Sequence, residues 1–452
     1  MCLFQGNSMK IVIIENVVPL KGKYGVFDKL LMTSFSIVPT LQARQLAAIT
    51  PKKHTVTVCN QRYNDIDYST SYDVVVISFT TSTAYQAYTI ADTFRSLSVP
   101  VVLTGMHASA LPQEARDHAD SILLGQGELQ WLTLLSDVEN KKLQPLYQHE
   151  SYNNTCVIPS TQMQLPGFVV TGAIQATRGC PYHCSFCPES HLPGGHQFFA
   201  RPIKDVINEL KKIPQKTVIF YDASLTIDPE YTKELFSQMQ GIGKHFFCNG
   251  NVDVLAKDPE LVRLSKKAGC VSWLIGFETI SQPTLDQIQK TTNTVNEYHQ
   301  CVTNIHKHNM AVVGSFIFGF DNDTPDVFSS TLSLIQQLKI DVIDCSILTP
   351  FPGTPLFAEL KRQNRILTQQ WDAYTMKNVV FQPKNMTPKQ LHQGVVWMYK
   401  QFYAPHRTTQ RLIRAISFGL YPLLLVASRN TIALINSQAL KKTEKKERVT
   451  EF

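Results

Sequence analysis

Three cysteines in one short segment are the residues of this sequence best suited to chemistry. Cys180, Cys184 and Cys187 lie in TRGCPYHCSFCPE, residues 177–189, with three and then two residues between them. Gly179 and two prolines bend this segment, so its thiolates can converge on one small inorganic centre. Four cysteines would complete an iron–sulfur cluster, whereas three leave one iron open to a substrate or cofactor.

Two other interpretations of this segment stay open from the residues alone. The three thiolates could bind zinc with His183 or His191 as fourth ligand, or they could be unrelated core residues. The other cysteines are scattered, and none forms a pair separated by two residues, which argues against a second cluster. They are Cys2, Cys59, Cys156, Cys248, Cys270, Cys301 and Cys345.

The segments that would position the triplet alternate between strand and helix patterns. Six apolar runs have the length of buried strands, and helical patterns lie between them. Six such units within residues 168–350 predict a partial (β/α)6 barrel, with its site at the carboxyl ends of the strands. The predicted strands are Phe168–Gln175, Lys216–Tyr221, His245–Asn249, Cys270–Phe277, Ala311–Phe318 and Asp341–Leu348.

The chain before this barrel has the same alternation and predicts a doubly wound α/β domain over residues 9–139. Such sheets bind ligands at the carboxyl ends of their strands, here at residues 78–80, 104–107 and 125–128. Residues 140–167 are polar, contain three prolines and predict a linker. The predicted strands are Lys10–Ile14, His54–Cys59, Asp73–Phe79, Val99–Gly105 and Asp120–Leu124.

With Phe186 directly before its third cysteine, the triplet resembles the signature of the radical S-adenosylmethionine (SAM) superfamily. The resemblance covers residues 168–350 and implies that the three cysteines hold a [4Fe-4S] cluster. In that superfamily the open iron binds SAM, and one electron cleaves SAM to a 5′-deoxyadenosyl radical that abstracts hydrogen from the substrate. The resemblance also implies a one-electron reductant such as flavodoxin or ferredoxin.

Three further segments resemble cofactor-binding segments of this superfamily, and each falls at a predicted strand end. The second-strand segment contains Tyr221 and Asp222, and the resemblance implies that it meets the methionine end of SAM. The fourth-strand segment contains Gly276 and Glu278, and the fifth contains Ser315. A surface carboxylate or a helix cap is the alternative for Glu278.

The N-terminal domain resembles the cobalamin-binding domain that precedes the barrel in one large subgroup. The resemblance rests on SFTTSTAYQAYTIADTFR and VVLTGMHASALPQEARDHADSILLGQGE, where Thr104 and Gln126 replace a glycine and a glutamate of the usual pattern. Glycines at strand ends let the backbone approach a bulky ring. The cofactor contacts that the resemblance implies are Ser78, Thr80, Gly105, His107, Gly125, Gly127 and Glu128.

One departure from that pattern concerns the lower ligand of cobalt. No Asp-x-His-x-x-Gly sequence follows the first predicted strand, so no histidine is offered at the usual place. His107 is a candidate for this ligand, and a local role in its loop is the alternative. A domain that has kept the fold and lost cobalamin also stays open.

Composition and the chain ends limit the class of protein. The 452 residues are 43% hydrophobic with a net charge of +7, an ordinary globular balance without the dense basic surface of a nucleic-acid binder. No secretion signal or membrane-spanning segment is indicated, so the sequence predicts a cytoplasmic protein. Residues 1–8 predict a short extension and residues 441–452 a solvated tail.

The remaining region, residues 351–452, predicts a mainly helical C-terminal part with a helix near 387–403. Its apolar segment 416–427, ISFGLYPLLLVA, contains Pro422 and is too short to span a bilayer. This segment is either a core or lid helix, or a surface that makes peripheral contact with a lipid or membrane interface.

These features together predict a cobalamin-dependent radical SAM methyltransferase that methylates an unactivated carbon of a small-molecule or lipid-like substrate. Two alternatives stay open. The same architecture could catalyse a radical rearrangement, a cyclisation or carbon–carbon bond formation, because the motifs do not separate these outcomes. The chain could also be a non-catalytic cobalamin or redox sensor.

Overall fold

The computed structural model describes residues 8–17, 41–62, 64–125, 127–149 and 171–432. Several features predicted from the sequence lie outside these ranges. They are residues 1–7 of the predicted extension, positions 150–167 of the predicted linker, the start of the predicted strand at 168–170, the tail at 441–452, Cys2, Cys156 and Gln126.

Six parallel strands form one sheet in the N-terminal half. They are β1 (Lys10–Asn16), β2 (Thr55–Asn60), β3 (Val74–Phe79), β4 (Val101–Thr104), β5 (Ser121–Leu123) and β6 (Leu146–Tyr147). Hydrogen bonding places them in the order β2-β1-β3-β4-β5-β6, which confirms the predicted doubly wound sheet.

Helices pack on both faces of this sheet. They are α1 (Gln42–Ile49), α2 (Ala84–Ser96), α3 (Met106–Ala110), α4 (Pro112–Arg116) and α5 (Glu128–Glu139). Alternate residues of the central strands face opposite helices, so Ile77 packs with α2 while Val76 packs with α1 and α5. Burial on both faces explains why these strands are continuous apolar runs.

The edge strand β6 differs from the prediction, because it lies inside the segment assigned to a linker. Ile122 pairs with Leu146 and Leu123 with Tyr147. The Tyr147 side chain is buried, and its hydroxyl donates a hydrogen bond of 2.6 Å to Asp137. Two residues are too few to show a strand period in the sequence, so this pairing gave no pattern to detect.

A second sheet of six parallel strands forms the partial barrel. Its strands are β7 (Thr171–Ile174), β10 (Thr217–Phe220), β11 (His245–Gly250), β12 (Cys270–Glu278), β13 (Ala311–Phe318) and β14 (Val342–Ile347). Their order is β14-β13-β12-β11-β10-β7, so successive strands are neighbours and the predicted (β/α)6 arrangement is confirmed. A short antiparallel pair, β8 (Thr177–Arg178) with β9 (Phe199–Ala200), follows β7.

The helices of the barrel lie between its strands, close to the positions that the sequence predicts. They are α6 (Ile203–Lys212), α7 (Pro229–Met239), α8 (Val252–Lys257), α9 (Pro259–Ala268), α10 (Gln282–Gln287), α11 (Tyr298–Lys307) and α12 (Val327–Gln337). Their apolar faces join the strands in one large core that includes the fully buried Trp273, Phe246 and Phe316.

The C-terminal region is helical, as predicted. Its helices are α13 (Pro355–Arg362), α14 (Pro388–Phe402), α15 (Pro405–Ile416) and α16, which begins at residue 420 and continues to 432, where the description ends. The inner faces of α15 and α16 pack on Ala311 and Val342, the first residues of β13 and β14. The two helices therefore cover the amino-terminal end of the barrel strands. Among the described residues, no helix has the length and apolarity needed to cross a membrane.

Asp341 joins α15 to the barrel and is expected to be important for stability. Its buried carboxylate accepts hydrogen bonds from the Val312 backbone (2.9 Å), from His306 (2.9 Å) and from Arg414 Nε (3.1 Å). We expect Asp341→Ala to lower the free energy of unfolding by about 3–5 kcal/mol, because three donors lose a buried acceptor. Thermal unfolding should show no measurable change for Arg362→Gln, which removes an exposed ion pair with Glu359. Equal midpoints for Asp341→Ala and wild type would contradict this role.

Candidate active site

The loop that carries the three cysteines is braced at both of its ends. The pair β8–β9 brings residues 178 and 199 together, and the loop runs between them. The Cys180 N–H donates a hydrogen bond of 2.8 Å to the Gly195 carbonyl. Gly179 has φ +74°, and a Cβ atom there would collide with the Gln197 carbonyl, so only glycine fits.

The side of this loop lies against the segment that follows α10. The Ser185 N–H donates to the Ile288 carbonyl at 3.0 Å, and the Cys184 thiol lies 3.7 Å from the Gln289 carbonyl. The next residue, Lys290, pairs with Glu278 at 3.3 Å. A cation and a carboxylate are therefore held beside the thiols.

Burial and the charge of Lys290 determine the electrostatics of the three thiols. Burial raises the pKa of all three thiols, and that of Cys187 to about 12. Burial alone would lower the pKa of Lys290, but the charges of Glu278 and of Cys184 and Cys187 raise it. Thiolates at these positions need a positively charged centre to stabilise them, which a bound metal supplies.

The three thiols fit an iron–sulfur cluster better than a zinc ion. They are free thiols within the described chain. A four-iron cube binds its three cysteines at separate corners, one thiolate to each iron. Of the two histidines considered as a fourth zinc ligand, His191 has Nε2 3.1 Å from the Cys184 carbonyl, and His183 packs on His196.

The fourth and fifth strands bring their predicted residues beside this loop. The register of β12 and β13 shifts between Gly276 and Glu278, and Glu278 has φ +62° at the end of its strand. This bulge turns the Glu278 carboxylate back onto Gly276, where a Cβ atom would collide with it. Ser315 lies half-buried opposite Gly276, and Phe186 packs edge-on against Phe320.

The second strand separates its two predicted residues. Tyr221 opens into a cavity and is 39% exposed. Asp222 is buried instead, and its carboxylate accepts hydrogen bonds from the Ala176 and Thr177 backbones and from the Thr177 hydroxyl. Burial raises the pKa of Asp222 to about 6 despite these donors. The Asp222 carboxylate is occupied by the backbone that leads into the cysteine loop, which favours a positioning role, and its contact with a cofactor stays a prediction.

This placement makes Asp222 a test of how the loop is held. We expect Asp222→Ala to lower the free energy of unfolding by about 2–4 kcal/mol, because two backbone donors lose their buried acceptor. Iron content after anaerobic reconstitution should fall together with the unfolding midpoint. The control is Asp228→Ala, which removes the N-cap of α7 at a cost of about 1 kcal/mol. Equal iron content in Asp222→Ala and Asp228→Ala would argue against a specific role of Asp222 in the loop.

A cavity of about 390 Å³ lies between the N-terminal sheet and the barrel. It is lined at the carboxyl ends of the N-terminal strands by predicted residues Ser78, Thr80, Gly105, Gly125 and Glu128. The barrel contributes Gln175, Arg178 and Tyr221, and the cysteine loop contributes Glu189, Leu192, Pro193 and Gly195. The two sets of predicted strand ends, separate in the sequence, thus share one cavity.

Glu128 gives this cavity an acceptor for a ligand. Its Oε1 pairs with Arg178 at 2.7 Å across the two halves of the molecule. Its Oε2 is buried and has no hydrogen-bond partner among the described residues. Because an unpaired buried oxygen costs free energy, this position suits a ligand with amide N–H groups, such as cobalamin. Gly127, with φ +75°, precedes Glu128 at the start of α5.

His107 is enclosed in a local network of side chains. It is completely buried and is not among the described residues that line the cavity. Its Nε2 lies 3.3 Å from Glu114, which also accepts hydrogen bonds from Tyr88 (3.0 Å) and Trp371 (2.8 Å). This network favours the alternative of a local role for His107 in its loop, and its contact with a cofactor stays a prediction.

Comparison with known proteins identifies the family. A model of the radical SAM superfamily matches residues 174–335. The bacteriochlorophyllide d C-12(1)-methyltransferase of Chlorobaculum tepidum is 31% identical over 404 residues, which are 85% of this chain and 86% of that protein. The chain belongs to the radical SAM superfamily. The family membership and enzyme class predicted from the sequence are confirmed.

One further relative and one solved structure are similar to this radical SAM enzyme. The bacteriochlorophyllide d C-8(2)-methyltransferase of the same organism is 28% identical over 380 residues, 79% of this chain and 84% of that protein. The methyltransferase TsrM of Kitasatospora setae, solved with cobalamin and a [4Fe-4S] cluster, is 13% identical. It matches 97% of this chain and 100% of its own with a TM-score of 0.69, so the fold extends over both halves.

Three residues of this radical SAM enzyme's site were not found from the sequence. Arg178 directly precedes the Gly-Cys of the signature. This closeness to the cysteines is the one sequence feature that could have identified it as a site residue. Glu15 is the penultimate residue of β1 and lines the cavity, where burial raises its pKa to about 7 although Asn60 donates to it at 2.6 Å. Lys290 lies in an irregular segment and had no sequence signal, because the thiols it faces are about one hundred positions away.

Proposed function

We propose that this radical SAM enzyme transfers a methyl group from SAM to an unactivated carbon of its substrate with the help of a [4Fe-4S] cluster and cobalamin. The observation that carries the proposal is the shared cavity, because strand ends of the N-terminal sheet and the cysteine loop line the same space. Two relatives named methyltransferases support methyl transfer as the reaction.

Cys180, Cys184 and Cys187 would hold the cluster and leave one iron open to SAM. When bound, the cluster supplies the electron that cleaves SAM, and cobalamin supplies a methyl group to the substrate radical. Lys290 keeps a positive charge beside the thiols, paired with Glu278. Gly276 and Ser315 lie on the adjoining strands, where the absence of a side chain at Gly276 leaves room for the Glu278 carboxylate.

The cobalamin side of the cavity would be formed by backbone and small polar groups. Gly105 and Gly125 have φ of +102° and +65° and let the chain turn sharply at the strand ends. Ser78 and Thr80 present hydroxyls to the same space, although Ser78 donates to Gln42 at 2.6 Å. Glu128 offers its unpaired oxygen to an amide of the cofactor.

The junction between the two halves would keep water away from the radical step. Arg178 and Glu128 form a buried ion pair there, with side chains 6% and 2% exposed. Leu192 and Pro193 of the cysteine loop add apolar surface to the wall of the cavity. A closed, dry site protects a substrate radical from quenching by solvent. Tyr221 of the barrel lines this space and is 39% exposed, so we assign it contact with cofactor or substrate.

The names of the relatives support an amphipathic ring compound as the substrate class. Both bacteriochlorophyllide methyltransferases cover more than three quarters of this chain. A one-electron donor such as flavodoxin or ferredoxin would reduce the cluster before each turnover.

The test uses anaerobically reconstituted protein, reduced and supplied with SAM labelled in its methyl group. Absorbance of the loaded protein should show both an iron–sulfur cluster and cobalamin. Incubation with candidate ring substrates should give 5′-deoxyadenosine, S-adenosylhomocysteine and a labelled product in equal amounts. If 5′-deoxyadenosine forms and the substrate is altered without gaining the label, the reaction is a cyclisation or rearrangement and not a methylation. Failure to cleave SAM at all would overturn the proposal and favour a sensor.

A further inference from the structure

The helices that cover the amino-terminal end of the barrel expose four large aliphatic side chains, two on each helix. Ile413 and Ile416 of α15 are both 63% exposed, and Leu420 and Leu424 of α16 are 65% and 47% exposed. Within each helix the two residues are three or four positions apart, so they share one face. We call these four residues the apolar ridge. Large aliphatics exposed together on a surface mark an interaction site more often than scattered ones do.

The ridge stands on a rigid base. Phe418 and Val426 of the same segment are buried against the first residues of β13 and β14. Phe418 also stacks on His306, with ring centroids 5.4 Å apart, and Tyr421 stacks on His245 at 3.5 Å. The inner face of the helix pair is therefore part of the core, as one sequence interpretation predicted. The outer face fits the alternative interpretation of this segment, a surface that makes peripheral contact with a lipid or membrane interface.

The barrel surface around the ridge is basic. The helix ends and turns that lead into β10 to β14 cover residues 211–216, 240–244, 266–269, 307–310 and 338–341, all in the described part of the chain. Their one acidic residue is Asp341, which is buried and paired with Arg414. Six lysines in these turns are exposed: Lys211, Lys212, Lys216, Lys267, Lys307 and Lys339.

Two of these lysines lie close in sequence to residues that the helix pair contacts. Lys307 follows His306, which stacks on Phe418, and Lys339 is two residues before Asp341. Lysines at helix ends also interact favourably with the helix dipole, which explains one or two at each end. The dipole does not explain why the same end of the barrel combines exposed lysines with exposed aliphatics.

We propose that this end of the barrel docks on the surface of an anionic lipid bilayer. Aliphatic side chains on an interfacial helix enter the boundary between headgroups and acyl chains, while lysines around them attract anionic headgroups. The apolar ridge supplies the aliphatic side chains, and the six exposed lysines supply the attraction to anionic headgroups. Charge complementarity favours a membrane of negative surface potential over a neutral one.

The orientation follows from the barrel. The cysteine loop and the cavity lie at the carboxyl ends of the strands, whereas the ridge lies at their amino ends. Docking would therefore hold the enzyme at the membrane with its mouth turned away from the lipid. Binding to vesicles and turnover of a soluble substrate are then separable properties, so this inference stands independently of the proposed reaction.

The test is co-sedimentation of the full chain with vesicles of phosphatidylcholine alone or mixed equally with phosphatidylglycerol. We expect wild type to partition onto the mixed vesicles at low salt, and less at high salt. Ile413→Ser/Leu420→Ser should lower the partition coefficient at least tenfold. Lys267→Gln/Lys307→Gln/Lys339→Gln should lower it about fivefold per lysine removed.

Matched controls separate this site from general surface effects. Leu132→Ser/Leu367→Ser removes two leucines that are 54% and 53% exposed elsewhere, and should bind like wild type. Lys377→Gln/Lys384→Gln/Lys389→Gln removes three exposed lysines of the C-terminal region and should change binding little. Equal unfolding midpoints and iron contents would show that the ridge variant is folded.

Three outcomes would overturn the inference. Wild type could remain in the supernatant with mixed vesicles at low salt. The ridge variant could bind as tightly as wild type. Sedimentation velocity could show a wild-type dimer that the ridge variant dissociates, with no binding to vesicles, in which case the occupant is a second copy of the chain.

Discussion

Replacing any one of Cys180, Cys184 and Cys187 by alanine is expected to abolish SAM cleavage. Each thiolate would bind one corner iron, so its loss leaves a second iron without a protein ligand and the cluster is not retained. Partial burial raises the pKa of the remaining two thiols, so they depend on the bound cluster itself to become thiolates. Iron and sulfide analysis and the yield of 5′-deoxyadenosine after reduction measure the effect, which should reach the detection limit.

The control for this prediction is another buried cysteine of the same barrel. Cys301 is completely buried in α11, and Cys301→Ala removes the same sulfur atom from the core. We expect this variant to bind iron normally and to cleave SAM at the wild-type rate. Wild-type cleavage in all three triplet variants would rule out the cluster assignment, as would a stoichiometric zinc ion in the wild-type protein.

The sequence predicted the positions of strand ends well, because buried parallel strands are apolar runs bounded by polar turns. Ala311–Phe318 has the same bounds in the prediction and in the structure. Strand ends in turn predicted where the site lies, since parallel strands place their carboxyl ends at one edge. Five predicted residues of the N-terminal sheet and Tyr221 of the barrel do line one cavity.

Side-chain direction at those strand ends could not be predicted in the same way. Tyr221 and Asp222 are neighbours, and consecutive residues of an extended chain point to opposite sides. A motif places both near the site, but the structure shows that Asp222 is taken up by the backbone of Ala176 and Thr177. His107 differs because Glu114 of the next helix and Trp371 of a distant segment form its surroundings.

Lys290 shows the limit of sequence-based prediction for residues that lie outside helix and strand patterns. It follows α10 in an irregular segment, where a lysine normally predicts exposure. The structure places it beside the cysteine loop because the Ser185 N–H is bonded to the Ile288 carbonyl. Its side chain is 17% exposed and is paired with Glu278 at 3.3 Å. Long-range contacts of this kind have no local signature, so only the folded structure reveals the cation.

We expect Lys290→Met to make the cluster harder to reduce. Reduction adds an electron next to this cation, so removing its charge destabilises the reduced form more than the oxidised form. The midpoint potential should fall by on the order of tens of millivolts. Redox titration followed by electron paramagnetic resonance measures the shift directly. Lys290→Arg keeps the positive charge and should stay close to the wild-type potential.

A second variant separates this electrostatic effect from simple loss of stability. Lys290→Met leaves the buried Glu278 carboxylate without its ion-pair partner, at a cost of about 3 kcal/mol in unfolding free energy. Lys290→Met/Glu278→Gln removes both charges, so we expect it to regain most of that stability and to bring the potential back toward wild type. If Lys290→Met and Lys290→Arg had the same potential, the positive charge of Lys290 would not act on the cluster, and its contact with the cysteine loop would be one of packing alone.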